Sequence, residues 1–375
     1  MVTACWIWNT LSLLTSKASL AYIAGNVFFL ALSSSSALAM VFVGTKGNTT
    51  SQMAQVFSLN TEKDIHVVFQ SLFAEGNKPG SQDLLRSANR LFAEKTREFL
   101  PTFKELCRQF CQAELEQLSF AKAAEKSRKH ISTWDSQMTG GKIRNLLPET
   151  TVDEQTRLVV VNAVCFKGRW SGPLEKTCTK EMPFKISWKD QRTVQTMFQE
   201  AMFKLASIEE IMKAQVLELP CEGEELSMLI LLPDHNVDLS LVEKELTFER
   251  FISWTNLHHM MCTEVEIFLP RFKLEGHYNM ESVLQHLGIV DAFQVGKANF
   301  SAMSAEEALC LSKFVHKAFM EVNEDVTEAA ATSHTEAFDH CLENAPRFCA
   351  HHPFLFFIGH NKANCILFCG KFSSL

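Results

Sequence analysis

No stretch of this 375-residue sequence is rich enough in proline, glycine or serine to act as a linker, and the composition does not shift along its length. One large domain is therefore the simplest organisation, although the length alone would accommodate two or three. No two cysteines stand at CxxC spacing. The twelve are scattered singly, which in a chain of this size reads as reduced thiols and points to the cytosol rather than to a disulfide scaffold. A basic surplus is missing too: the net charge of -7 leaves no electrostatic footprint for nucleic acid. The GxSxG elbow, the GxxxxGK[ST] phosphate loop, the GxGxxG turn after a strand and the HExxH helix are all absent, which argues against an enzyme.

Charged side chains are absent from Ala18 to Gly44, a run long enough to span a membrane. Gly25, Asn26 and the serines Ser33 to Ser36 interrupt its apolar character, and no basic region precedes a short apolar core as a secretory signal requires. Neither a membrane span nor secretion is expected, and the sequons at Asn48 and Asn299 then carry no weight.

What is present is core material. With 46% hydrophobic residues and 30 phenylalanines the chain can fill a large interior, and 21% charge is ordinary for a soluble protein. Periodicity predicts helices over Ser34–Val43, Thr61–Ala74, Pro101–Gln109 and Ala121–Gly140. The last carries Ile131, Trp134 and Met138 at spacings of three and four, a stripe for an apolar surface, and is stopped by Gly140 and Gly141. Strands are predicted at Leu158–Phe166, Gln215–Leu219, Leu226–Leu232, Val265–Leu269 and in two C-terminal runs. Helices early and strands late indicate an α+β fold. Inside the apolar run LVVVNAVCF, the amide of Asn162 needs hydrogen-bond partners.

The most informative stretch runs from Glu321 to Phe354. Upstream, Leu309 to Val322 reads as a long strand; downstream, HPFLFFIGHNKANCILFCGKF reads as two buried strands joined by a polar turn. Between them Ala329, Ala330, Ala331, Thr332 and Ser333 have almost nothing to bury. A connection of roughly twenty residues between packed strands is longer than compact domains normally tolerate, so it is functional or disordered. On residues alone, an Ala-rich surface helix over Thr327–Phe338 also stays open. Cys341 beside His340 offers a thiol and a base, but neighbours on an extended chain point to opposite sides and no orienting group is evident. Cys349, His351 and His352 have loosely ligand-like spacing without a fourth ligand in view, so structural use is expected. No metal and no cofactor is expected.

This stretch resembles the hinge of the serpins. The family pattern of Glu, a charged residue, Gly, Thr or Ser, one more residue and a run of small residues stands here as Glu324, Asp325, Val326, Thr327, Glu328, Ala329, Ala330, Ala331 and Thr332. Further signatures follow in family order: LLRSANRLFAEKT, FAKAAEKSRKHISTW, TRLVVVNAVCFKGRW, ELSMLILLPD and EVEIFLPRFKLEGHYNMESVLQHLGIVDAF. The resemblance runs from about Asn26 to the last residue and is strongest to the intracellular, ovalbumin-like clade B. It implies a serpin fold of the α+β class: a single domain over residues 26–375 with three β-sheets, about eight to nine helices and an exposed reactive-centre loop. Residues 1–25 depart from it. Relatives begin with an amphipathic helix bearing both charges, whereas this divergent N-terminal segment has only Lys17, as a substituted first exon would.

The resemblance further implies an inhibitor of serine endopeptidases. A protease attacks near the far end of the loop and forms an acyl-enzyme; the freed arm then inserts into the central sheet. Asn162 pairs with His316 in the family and, with Ser33, makes the shutter where the sheet parts; Trp170 matches the breach where the loop first enters. Counting forward from Glu324 puts the reactive residue at His340, whereas counting back from PRFC puts it at Asp339. The cut bond is thus Asp339–His340 or His340–Cys341. Asp339 suits proteases that cleave after acids, a granzyme B-like serine protease or a cysteine protease of the caspase kind, because a carboxylate can pair with a basic specificity pocket. The target protease is the expected partner of a monomeric, cytoplasmic protein, with the nucleus also open; no nucleic acid and no membrane are expected. Three departures stand out. Val326 replaces the hinge glycine, and a β-branched residue resists turn conformations that glycine allows; Leu30 and Ala31 replace the family's Ser and Pro. They favour an alternative, a serpin fold that serves as a protease substrate or binding protein.

Overall fold

The structure is a computed structural model and describes residues 25–56, 85–111, 115–172, 174–209, 213–255, 260–306, 309–324, 345–362 and 365–374. The helix expected over Thr61–Ala74, the hinge from Asp325 to Thr332 and the reactive residues Asp339, His340 and Cys341 lie outside them.

Seven helices are described: α1 (Ala31–Val43), α2 (Gly47–Val56), α3 (Pro101–Cys111), α4 (Phe120–Met138), α5 (Leu239–Glu245), α6 (Phe248–Trp254) and α7 (Met280–His286). The early strands are β1 (Val27–Leu30), β2 (Leu85–Glu94), β3 (Leu115–Leu118), β4 (Leu158–Lys167), β5 (Lys180–Lys185), β6 (Gln191–Ile208) and β7 (Ala214–Pro220). They are followed by β8 (Leu226–Pro233), β9 (Met261–Pro270), β10 (Phe272–Asn279), β11 (Lys313–Val322), β12 (Arg347–Cys349), β13 (Phe354–His360) and β14 (Cys365–Phe372). Four of the seven described helices precede the run of strands from β4 onward.

The chain clusters into two compact units. The first, built on Leu30–Phe166 and Glu275–Phe319, holds most of a five-stranded sheet in the order β10-β11-β4-β2-β3. β4 sits at its centre because LVVVNAVCF is buried throughout, the mark of a strand covered on both faces. β2 pairs with it antiparallel, Asn89 opposite Asn162, while β10 alternates buried and exposed residues along its whole length. α4 covers this sheet. Phe120 and Ile131 of the helix pack with Phe92 of β2, Val159 and Val161 of β4 and Val315 of β11. Its chain stops after Met138, and Gly140 (φ 61°) and Gly141 (φ 75°) take the left-handed conformation that ends helices.

The expected stripe on α4 is corrected at its end. Ile131 is buried and Trp134 packs on the core, but Met138 is 49% exposed, and the buried line runs from Ile131 through Asp135 to Thr139 instead. That line follows a spacing of four, the same helix face one turn on. Met138 was the more apolar choice on paper and lies off it.

The second unit, Lys167–Leu274 and Met320–Leu375 with β1 as far as Phe29, carries a nine-stranded network in the order β1-β14-β13-β8-β7-β6-β9-β12, with β5 also on β6. It is two sheets sharing one strand. β6 is 18 residues long; its first half pairs with β5, its last residues pair with β7, and β9 runs alongside from Thr196 to Leu205. With the five-stranded sheet this makes the three sheets of the expected fold. Phenylalanines fill its core: Phe28 stacks on Phe368 at 4.9 Å, and Phe272 meets Phe372 at 4.6 Å and Phe356 at 5.9 Å.

Candidate functional site

Four neighbouring strands of the five-stranded sheet carry a row of polar side chains through its apolar interior. Asn162 of β4 and His316 of β11 are both 0% exposed. The Asn162 carboxamide donates through Nδ2 to Oδ1 of Asn89 on β2, and its Oδ1 faces Nδ1 of His316. An amide oxygen can only accept, so Nδ1 of His316 carries a proton, as it does in one tautomer of the neutral imidazole. Burial favours the neutral form by pushing the His316 pKa down to about 3, with His277 adding to the effect. On the far side Tyr278 of β10 stacks on the imidazole at 5.7 Å, 17° from parallel.

One hydroxyl enters this row from α1. Ser34 Oγ lies 3.2 Å from Asn162 Oδ1, to which it donates, and 3.3 Å from His316 Nδ1. The residue read from sequence was Ser33, one position earlier in the same helix. Leu30 and Ala31 form the junction of β1 and α1. Asn162 and His316 announced themselves as polar residues inside apolar strands; Asn89 and Tyr278 did not, because a polar residue in the mixed run LRSANRLFAE and an aromatic one in an alternating strand look ordinary.

At the end of β11 the chain is held by buried polar contacts. Trp170 is 3% exposed and donates its indole N–H to the carbonyl of Asn323 at 2.9 Å, and the N–H of Gly168 donates to the carbonyl of Glu321 at 2.9 Å. Glu324, the first residue of the hinge pattern and the last one described before segment 325–344, is 4% exposed. It accepts from Thr179 Oγ1 at 2.7 Å and lies 3.7 Å from the guanidinium of Arg271. Trp170 also bridges Cys221, whose thiol burial pushes up to about 12. Downstream of the stretch, the carbonyl of Pro346 accepts from the N–H of Glu266 at 3.0 Å, and β12 lies parallel on β9 with Arg347 beside Glu266. Segment 325–344 therefore leaves one fixed strand and returns to another.

Cys349, His351 and His352 serve local structure. The His351 and His352 rings lie 5.0 Å apart, His351 Nδ1 contacts the Cys349 carbonyl at 2.7 Å, and His352 Nδ1 contacts that of Pro353 at 3.3 Å. Among the described residues no group of three or more His, Cys, Asp or Glu could hold a metal ion, Cys107, Cys165, Cys178, Cys221, Cys262, Cys310, Cys349 and Cys369 are free thiols, and no helix is long and apolar enough to cross a membrane.

Fold and site together define a class of protein: an α+β chain whose five-stranded sheet is crossed by a buried polar row and gives way to a segment anchored at both ends. The family model described as Serpin (serine protease inhibitor) matches residues 10–375, and the chain belongs to that family. It is similar to human Serpin B9, 63% identical over 93% of each chain, and to human leukocyte elastase inhibitor, 46% identical over 94% of this chain and 93% of that one. Among solved structures it is similar to uncleaved ovalbumin, with a TM-score of 0.89 at 33% identity over 99% of both chains.

Proposed function

We propose that the chain is an intracellular inhibitor of serine endopeptidases that acts as a suicide substrate, with residues 26–375 as its inhibitory domain. One observation carries this reading: Glu324 is buried and tied to Thr179 and Arg271 just after β11, at the head of the hinge pattern that leads to Ala329–Ser333. A protease attacks the bond after Asp339 or His340, the arm from Thr327 onward is freed, and it enters between β4 and β11, neighbours in the sheet. Small side chains suit a strand that must pass beneath α4. About ten new backbone hydrogen bonds at roughly 0.5–1.5 kcal/mol net each favour the inserted form before any burial is counted. The uncleaved state persists because leaving it is slow.

The relative named leukocyte elastase inhibitor supports a serine protease as target. Asp339 favours one that cleaves after acidic residues, granzyme B-like, or a cysteine protease of like preference. Val326 favours a second reading: if the valine slows hinge entry, the protease completes hydrolysis and the chain is a substrate. Incubation with a panel of such proteases followed by denaturing gels separates the two. A covalent, SDS-stable complex is the expected outcome; clean cleavage with every protease would establish the substrate reading.

A further inference from the structure

One turn after Ile131, the sheet-facing line of α4 presents a carboxylate. Asp135 is 0% exposed, and neither carboxylate oxygen has a hydrogen-bond partner. Beside it on the helix, Trp134 meets Phe92 edge-on at 5.6 Å and packs against Ala88, Ile143, Ala163, Cys165 and Phe319.

The charged groups on the elements packed with α4 have other neighbours. From β11, Lys317 donates to the carbonyl of Arg144 at 2.6 Å. On β2, Arg90 binds Glu116 at 2.8 Å and lies over the Trp134 ring, Arg86 reaches toward Gly140, and Glu94 accepts from the N–H of Ala121. After the helix, Lys142 sits over the Phe319 ring and Arg144 donates to the carbonyl of Gly141. On α4 itself Arg128 is held by Glu125 and His130 by Glu116 of β3. β4 offers only neutral residues and the Cys165 thiol ahead of its terminal Lys167. An isolated carboxylate in such a place is far costlier than the protonated acid.

We propose that Asp135 is protonated when α4 is docked on the sheet, so that docking tightens on acidification and α4 is an acid-set clamp over β2, β4 and β11. Burial raises this carboxyl from its ordinary 3.8 to about 7, with Lys317 opposing. The sign follows: across that window the docked state holds a proton that the released helix has lost, so docking weakens as pH rises and levels off above it. His316, lowered to about 3, and His277, also lowered by burial, act in the opposite sense, so the clamp is read as a difference between proteins. Its bearing on inhibition rests on the loop-insertion reading, since an arm entering between β4 and β11 passes beneath α4.

The test is hydrogen–deuterium exchange of the full chain, following peptides within 120–138 and correcting for intrinsic rates. Between about pH 5 and about pH 7, α4 protection in the wild type should fall by up to about a hundredfold relative to Asp135→Asn. Asp135→Val, which also carries no charge and fills an apolar site, should match the asparagine variant. The infrared band of a protonated, isolated carboxyl should appear in the wild type at about pH 5 and be missing from both variants. The same pH dependence in all three proteins, or no such band, would overturn the proposal. Because no protease enters the test, a failure to trap proteases leaves its outcome unchanged.

Discussion

Asn162 serves three partners with one carboxamide: Asn89, His316 and Ser34. Asn162→Ala deletes the acceptor that fixes the His316 tautomer, and losing a buried partner of this kind costs about 1–3 kcal/mol. Urea unfolding should show that loss; stability equal to wild type would mean that the row contributes nothing to holding the sheet closed. Asn162 and His316 were legible because a polar residue in an apolar strand demands a reason. For the serine, Ser33 to Ser36 are chemically identical, and only the packing of α1 shows that the Ser34 hydroxyl reaches Asn162. Asp135 was not legible at all. A pattern search for apolar stripes passes over a charged residue, and only the packing of α4 reveals that position 135 lies beneath it.

At the scale of elements, β4, β8, β13 and β14 could be read from sequence because their residues are apolar almost without break. β6 could not: only five of the eighteen residues of QRTVQTMFQEAMFKLASI are buried, and its length follows from serving two sheets, a tertiary demand without local signal. The hinge is proposed from composition and family pattern, and its consequences can be tested there. Thr327→Arg would have to bury an unpartnered charge as the arm enters the sheet, so it should abolish covalent complex while cleavage continues; inhibition equal to wild type would remove Thr327 from the hinge. Val326→Gly should raise the fraction of encounters that end in complex, because the first cut is set by residues near Asp339 and His340 whereas trapping depends on the rate of insertion. Densitometry of the gel gives the partition and mass spectrometry the cut site. An unchanged partition would shift attention from Val326 to the junction at Leu30 and Ala31.

For the whole molecule, loop insertion requires that the uncleaved chain is not at its free-energy minimum and that its five-stranded sheet has room for one more strand between β4 and β11. Such a claim concerns two states of one sequence, and no local pattern could carry it; it rests on the family, on the closed sheet and on the anchored ends of segment 325–344. The direct measurement is thermal unfolding of the intact chain and of the chain cut once between Ser333 and Cys341, under identical conditions. If the freed arm completes the sheet, the midpoint rises sharply, against the usual expectation that nicking a loop leaves stability unchanged or lowers it. A midpoint that stays the same or falls after the cut would contradict loop insertion.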